Sequence, residues 1–156
     1  MKLTVPARLA AASLAAVALA GCSYVNPITT HENYAASDGT QLVVGDVSAL
    51  NLIVIAEDEG SPATLVGTVV NDSDADVDLD ISIDGENTTT LTVEADSSVK
   101  LGPLDDETEV SGTAVAAPGF IANVAFIANT TDVESVEVPI LDGTLPEYAD
   151  LVAAIG

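Results

Sequence analysis

The sequence predicts an all-β fold: an immunoglobulin-like antiparallel β-sandwich of seven to eight strands, with a short helix at the C-terminus. Three observations point to it. Beyond residue 40 the apolar residues recur with period two and never settle into the 3.6 period of a helix. Turn signals interrupt that alternation at roughly 8–15-residue spacing, the rhythm of an antiparallel sandwich. And 48% of the residues are apolar with no Trp and only 3% aromatic, so the chain can build a core, but one made of Val, Ile, Leu and Ala.

Taken in order, residues 40–47 (TQLVVGDV) and 49–57 (ALNLIVIAE) read as two strands separated by a bend near Ser48 or by a switch between sheets. Residues 57–62 (EDEGSP) form a loop, 63–71 (ATLVGTVVN) a third strand and 77–84 (VDLDISID) a fourth. The chain turns at 85–87 (GEN) and returns over 88–95 (TTTLTVEA), with Leu91 and Val93 facing inward. Residues 96–109 connect, with a short extended piece at 98–101. Residues 108–119 and 120–129 read as strands split by Pro118-Gly119, and 134–141 (ESVEVPIL) as the last strand. Pro139 argues for an edge position or a bulge there, because proline has no N–H for a ladder. Residues 146–156 suit a short helix or tail, with Pro146 at the first helical position and Glu147 in the first turn. The sandwich is therefore expected over residues 40–145.

The N-terminus reads as a targeting segment. Lys2 and Arg8 precede residues 9–20, which are apolar apart from Ser13. Twelve helical residues span only about 18 Å, against a hydrocarbon core of about 30 Å, so the stretch fits a secretory signal better than a membrane span. It leads to Leu19-Ala20-Gly21-Cys22. This tetrapeptide resembles a bacterial lipobox, and Cys22 is the only cysteine in the chain. The resemblance implies that the Cys22 thiol takes a diacylglycerol and that residues 1–21 are removed. The expected partner is thus the cell membrane, reached through acyl chains on Cys22 from the extracytoplasmic side, each buried CH₂ contributing about 0.8 kcal/mol. Residues 22–39 are polar, broken by Pro27, and read as a tether.

Charge bounds the partners. Without residues 1–21, Lys100 stands as the only cation beside 25 acids, a formal charge of −24 over the remaining 135 of 156 residues. Such a domain repels nucleic acid and anionic headgroups alike, so no nucleic-acid partner is expected and the lipid must do the anchoring.

The densest acidic stretch is residues 71–85, NDSDADVDLDISIDG. An EF-hand loop needs Gly at its sixth position and Glu at its twelfth. Counted from Asp72 these are Val77 and Ile83; counted from Asp74 they are Leu79 and Gly85, and both fail. In a strand, residues two apart share a face at about 6.6–6.8 Å, so a row of carboxylates cannot converge on one ion. Asp78, Asp80 and Asp84 therefore read as the outer face of an amphipathic strand, at or near a sheet edge where charge discourages pairing with another chain. The turn before it is left with two readings: a solvated acidic turn, or a weak calcium site made by Asp72, Asp74 and Asp76.

The missing groups exclude most enzyme classes. Beyond the signal there is one His, His31, in the tether, and no Met. A Ser-His-acid triad needs a His held by a rigid scaffold; zinc or copper needs several His, Cys or Met ligands. There is no glycine-rich phosphate loop with a lysine. With no Trp and three Tyr (Tyr24, Tyr34, Tyr148) the aromatic platforms of a glycosidase are absent too. No cofactor and no catalytic residue is expected.

A family resemblance covers nearly the whole chain after Cys22. Its marks are Leu19-Ala20-Gly21-Cys22; Tyr34-Ala35-Ala36-Ser37-Asp38-Gly39; Val44-Gly45-Asp46-Val47 with Leu50-Asn51-Leu52-Ile53-Val54; Ala63-Thr64-Leu65-Val66 leading to Val70-Asn71; Pro118-Gly119; and Val138-Pro139-Ile140-Leu141. The layout resembles the small lipoproteins of high-GC Gram-positive bacteria, including the mycobacterial LpqE type, whose functions are largely unassigned. Their sandwich is compared with periplasmic copper chaperones, which hold copper with a His and Met set that this sequence lacks. What the resemblance implies is fold and location: a non-enzymatic envelope accessory or binding module of unknown protein partner.

Overall fold

Between residues 77 and 83 the buried side chains are Val77, Leu79, Ile81 and Ile83, while Asp78 is exposed and Asp80 and Ser82 are half-buried. This is the alternation of a pleated strand with one face on a core. The same alternation builds most of the molecule. A computed structural model describes residues 37–129 and 132–155, together with Val5, Pro6 and Ser13. The strands are β1 (Thr40–Val44), β2 (Val47–Ala56), β3 (Pro62–Asn71), β4 (Val77–Ile83), β5 (Glu86–Val93), β6 (Ser97–Leu101), β7 (Ser111–Thr113), β8 (Ile121–Ala128) and β9 (Asp132–Leu141), followed by helix α1 (Pro146–Ala154). The fold is the all-β sandwich with a short C-terminal helix that the alternation predicts.

The strand order is β5-β4-β8-β9-β2-β3-β6, with β1 on β2 and β7 on β3. Among the described residues every strand–strand pairing is antiparallel except one: the end of β9 runs parallel to β2, with Val54 beside Ile140 and Ile55 beside Leu141. An isolated parallel bridge also joins Leu101 to Thr108. Strand β9 thus leaves β8 and joins β2, linking the two layers.

Four boundaries differ from the sequence expectation. The first hairpin turns at Gly45-Asp46, not at Ser48; Gly45 adopts a left-handed φ of 55° at no steric cost. The β4–β5 turn is Asp84-Gly85, with φ of 49° and 78°, one residue before the expected GEN turn. Asp-Gly suits a two-residue hairpin because both positions need positive φ. The strand expected over 108–119 shrinks to the three residues of β7. Its flanks bond to loops instead: Ala114 donates its N–H to Ser61 O at 3.0 Å and Gly60 donates to Ala114 O at 2.7 Å. Finally, of the two readings for Pro139 the bulge is not realised: β9 lies inside the strand order and its register with β8 runs unbroken from Asp132 to Pro139. The edge is a local one, because up to Pro139 strand β9 is paired by β8 alone. The next residue, Ile140, turns its N–H and carbonyl toward Phe120 and Gly119. By the alternation of a ladder, Pro139 turns its nitrogen the other way, where β2 joins only from Ile140 on.

The acidic strand is also not where the charge suggested. β4 is paired on both sides, by β5 and by β8, and β5 is the edge. Its aspartates serve cross-strand bonds rather than edge protection. Thr90 Oγ1 donates to Asp80 Oδ1 at 2.5 Å and Thr92 Oγ1 to Asp78 Oδ1 at 2.8 Å, each across a direct register pair. A hydroxyl facing each carboxylate offsets part of the repulsion along the row.

The core is aliphatic around one aromatic side chain. Phe126 is fully buried among Leu52, Leu65, Leu79, Ile81, Ile83, Leu101 and Ile140. Two polar side chains share that burial, Thr64 and Asn71. Thr64 Oγ1 donates to Val110 O at 3.3 Å, which keeps its hydroxyl from being an unpaired polar group in an apolar site.

Candidate functional site

Three loops gather at one end of the sandwich: 57–61 after β2, 114–120 before β8, and 142–145 between β9 and α1. The first two are tied by the Gly60–Ala114–Ser61 bonds, and the second reaches β9 where Gly119 donates to Ile140 O at 2.8 Å. The third is shaped by Asp142, whose Oδ1 accepts from the Thr144 N–H at 2.9 Å. Those bonds, from the Thr144 backbone first and its hydroxyl second, hold the Asp142 carboxyl below its ordinary value. Leu145 then caps α1 in an extended conformation without a side-chain bond, and Pro146 fixes the first turn.

Helix α1 has nine residues and none of them is buried. It is held instead at its first turn: Tyr148 donates its hydroxyl to Asp38 Oδ2 at 2.9 Å. Burial raises the Tyr148 pKa above 10, helped by the bond to and the charge of Asp38 and by the charge of Glu147.

Beside the helix lies a cleft of about 510 Å³, lined by Glu57, Asp142, Gly143, Thr144, Ala149 and Val152 with Ala153. A smaller hollow of about 40 Å³ lies between Glu57, Ser61, Pro62, Val152 and Ile155. The cleft offers two carboxylates and a hydroxyl against a wall of small apolar side chains. The same loops show apolar residues to solvent: Phe120 is 65% exposed, Val115 53% and Leu145 48%. Phe120 is one of the two phenylalanines of the chain.

Reactive groups are few. Among the described residues there is no His, Cys or Met, and Lys100 on β6 is the only cation. Also among them, no group of three or more His, Cys, Asp or Glu is arranged to hold a metal ion. The arrangement suits binding through shape, apolar contact and negative charge.

The sequence-predicted sites fall in two places. Cys22, with Leu19, Ala20 and Gly21, and His31 lie outside the described residues. Asp72, Asp74 and Asp76 are described, and the structure does not gather them. Asp72 and Asp74 are exposed, and Asp76 Oδ1 accepts from the Ala95 N–H at 2.9 Å. The turn closes instead around Asn71, which sequence reading passed over. Its Nδ2 donates to Ala75 O, Val93 O and Glu94 O at 2.8, 3.0 and 3.1 Å. Its Oδ1 accepts from Ser73 N at 3.1 Å and from Ser73 Oγ at 2.7 Å. The available signal was the Asn-Asp-Ser step at a strand end, since asparagine folds turns by bonding the backbone two residues on.

No protein-family model matches the chain, and no curated protein matches it either. Among solved structures the chain is similar to the copper-bound PCuAC domain from PmoF2, at 15% identity and a TM-score of 0.51, over 65% of this chain and 97% of that one. At this identity the likeness is one of fold.

Proposed function

We propose that the protein is a lipoprotein of a bacterial cell membrane, held on the extracytoplasmic face by acyl chains on Cys22, whose sandwich is a non-enzymatic binding module for an envelope partner. The observation that carries the anchor is the single cysteine of the chain standing directly after Leu19-Ala20-Gly21, at the end of a twelve-residue apolar stretch too short to span a bilayer. The resemblance to LpqE-type lipoproteins points the same way. The binding role is supported by the cleft beside α1 and by Phe120, which the loop before β8 holds in solvent.

The copper of the similar PCuAC domain finds no matching donors in the described residues of this chain, because carboxylates and carbonyls are poor substitutes for imidazole and thioether at copper. No copper role is proposed. The anchor is tested by growing cells with an alkyne-bearing fatty acid. Wild-type protein takes the label and fractionates with membranes; Cys22→Ala is unlabelled and is either released or kept as uncleaved precursor. Equal maturation and fractionation of the two would overturn the reading. Crosslinking in intact cells, compared between wild type and Phe120→Ser, tests whether the loop end is the contact surface.

A further inference from the structure

The two terminal strands of the order β5-β4-β8-β9-β2-β3-β6 are not treated alike. β6 is closed off. Lys100 stands on it, its carbonyl accepts from Thr108 N at 2.9 Å, and Gly102 donates to Thr108 O at 3.1 Å. β5 carries no lysine and no proline; its one bulge lies at its start, where Asn87 and Thr88 stand opposite Ser82, and from Thr89 to Val93 it pairs, among the described residues, only with β4. Natural edges are normally blunted by such devices, because a bare edge is a template for another strand.

The groups on that edge can be named. Asp78 donates its backbone N–H to Asn129 Oδ1 and accepts from Asn129 N at 2.8 Å, so its backbone faces β8. Alternation then turns Leu79 and Ile81 toward β5, where they exchange bonds with Leu91 and Thr89. Thr90 and Thr92, opposite Asp80 and Asp78, direct their N–H and carbonyl groups away from β4. Both residues are exposed, and both hydroxyls are already engaged by the aspartates, so the side chains are fixed while the outward backbone groups take no strand partner among the described residues.

We infer that the β5 edge accepts an extended, cationic segment of a partner protein as an added antiparallel strand. Charge selects this occupant. Glu86 and Glu94 bracket the edge, and Asp78 and Asp80 lie one strand behind it, about 4.8 Å further in. A second copy of this chain is disfavoured: pairing β5 with itself brings two sets of Glu86, Glu94, Asp78 and Asp80 to one border, and like charges at close range repel. A strand with Lys or Arg near its two ends meets opposite charge at both ends of the edge.

The test uses the full chain in non-ionic detergent and, as probe, a fluorescent eight-residue peptide with lysine at each end and valine and threonine alternating between. Expected is saturable binding with Kd on the order of 0.1 mM, weakening as salt rises, with NMR shifts at the Thr90 and Thr92 amides. Thr90→Pro removes an outward N–H without taking a bond from the β4 ladder, a placement sheets tolerate at edges. It should weaken binding about tenfold. Thr90→Lys serves the same purpose if the proline variant fails to fold. The same peptide ending in glutamates should not bind. The inference is overturned by non-saturable binding, by equal binding of the glutamate-ended peptide, by equal binding to both variants, or by shifts confined to other strands. A concentration-dependent dimer abolished by Thr90→Pro would overturn it in favour of a second copy.

Discussion

The hydroxyl of Tyr148 on α1 donates to Asp38 Oδ2 at 2.9 Å, across 110 residues of chain. It joins the last helix to the residues that lead into β1, and with no buried residue on α1 it is the specific polar tie that positions the wall of the cleft. Tyr148→Phe keeps the ring and removes the bond. The expected loss is about 0.5–1 kcal/mol in urea unfolding, small because the pair is near solvent, together with earlier exchange of the α1 amides.

The same pair sets an alkaline limit. The Tyr148 pKa is raised in the folded state, so its contribution is fully present below pH 10 and is lost as pH rises through the folded value. Absorbance titration at alkaline pH should find a late-ionising tyrosine that moves to lower pH in Asp38→Asn. At the acid end the sign reverses. The lowered Asp142 value means that its contribution is present above 3.8 and disappears as pH falls through the folded value. NMR titration of its carboxyl should give a midpoint below 3.8.

Asn71 is buried and makes five hydrogen bonds through its amide. Asn71→Ala leaves three carbonyls without that donor and should cost about 2–3 kcal/mol. Asn71→Asp should cost more at neutral pH, because an anionic oxygen then faces Ala75 O, Val93 O and Glu94 O. Chemical denaturation of the three proteins orders them.

Phe126 is the only fully buried aromatic side chain among the described residues. Truncation to Ala opens a cavity in an otherwise aliphatic core, with an expected loss of about 3–5 kcal/mol. Phe120→Ala, which removes a solvent-facing ring, should change stability by less than about 0.5 kcal/mol. Paired melting curves of the two variants separate core from surface without reference to any ligand.

A calcium titration followed by calorimetry should show no saturable heat into the millimolar range. Asp76 is engaged by the Ala95 N–H, and Asp72 and Asp74 face solvent on a turn organised by Asn71. A hard cation needs six or more converging oxygens.

The strands were readable wherever one face meets the core, because alternation of Val77, Leu79, Ile81 and Ile83 against Asp78, Asp80 and Ser82 has one structural solution. The hairpin turns lie a residue or more from their expected places because Gly45-Asp46 falls within the stretch 40–47 that reads as one strand, and Asp84 closes the alternation of 77–84. Pairing order was hidden: nothing local to β4 reveals that Thr90 and Thr92 will stand opposite its aspartates and make an interior position tolerable. The cleft was hidden for a stronger reason. Glu57, Asp142 and Val152 are far apart in sequence and meet only because β2 and β9 end side by side.

That last junction also governs how the chain reaches its fold. Val54 pairs with Ile140, 86 positions later. The β4–β5 and β8–β9 hairpins close short loops and can form early, but the layers are not joined until β9 has both β8 and β2 beside it. A chain emerging N-terminus first therefore carries the end of β2 beyond Leu52, which β1 does not cover, with an open flank until nearly all of it has been delivered. Assembly completes at the end of delivery rather than progressively. A chain cut short before β9 would expose two unsatisfied strand borders at once, which marks it for aggregation or proteolysis instead of partial function.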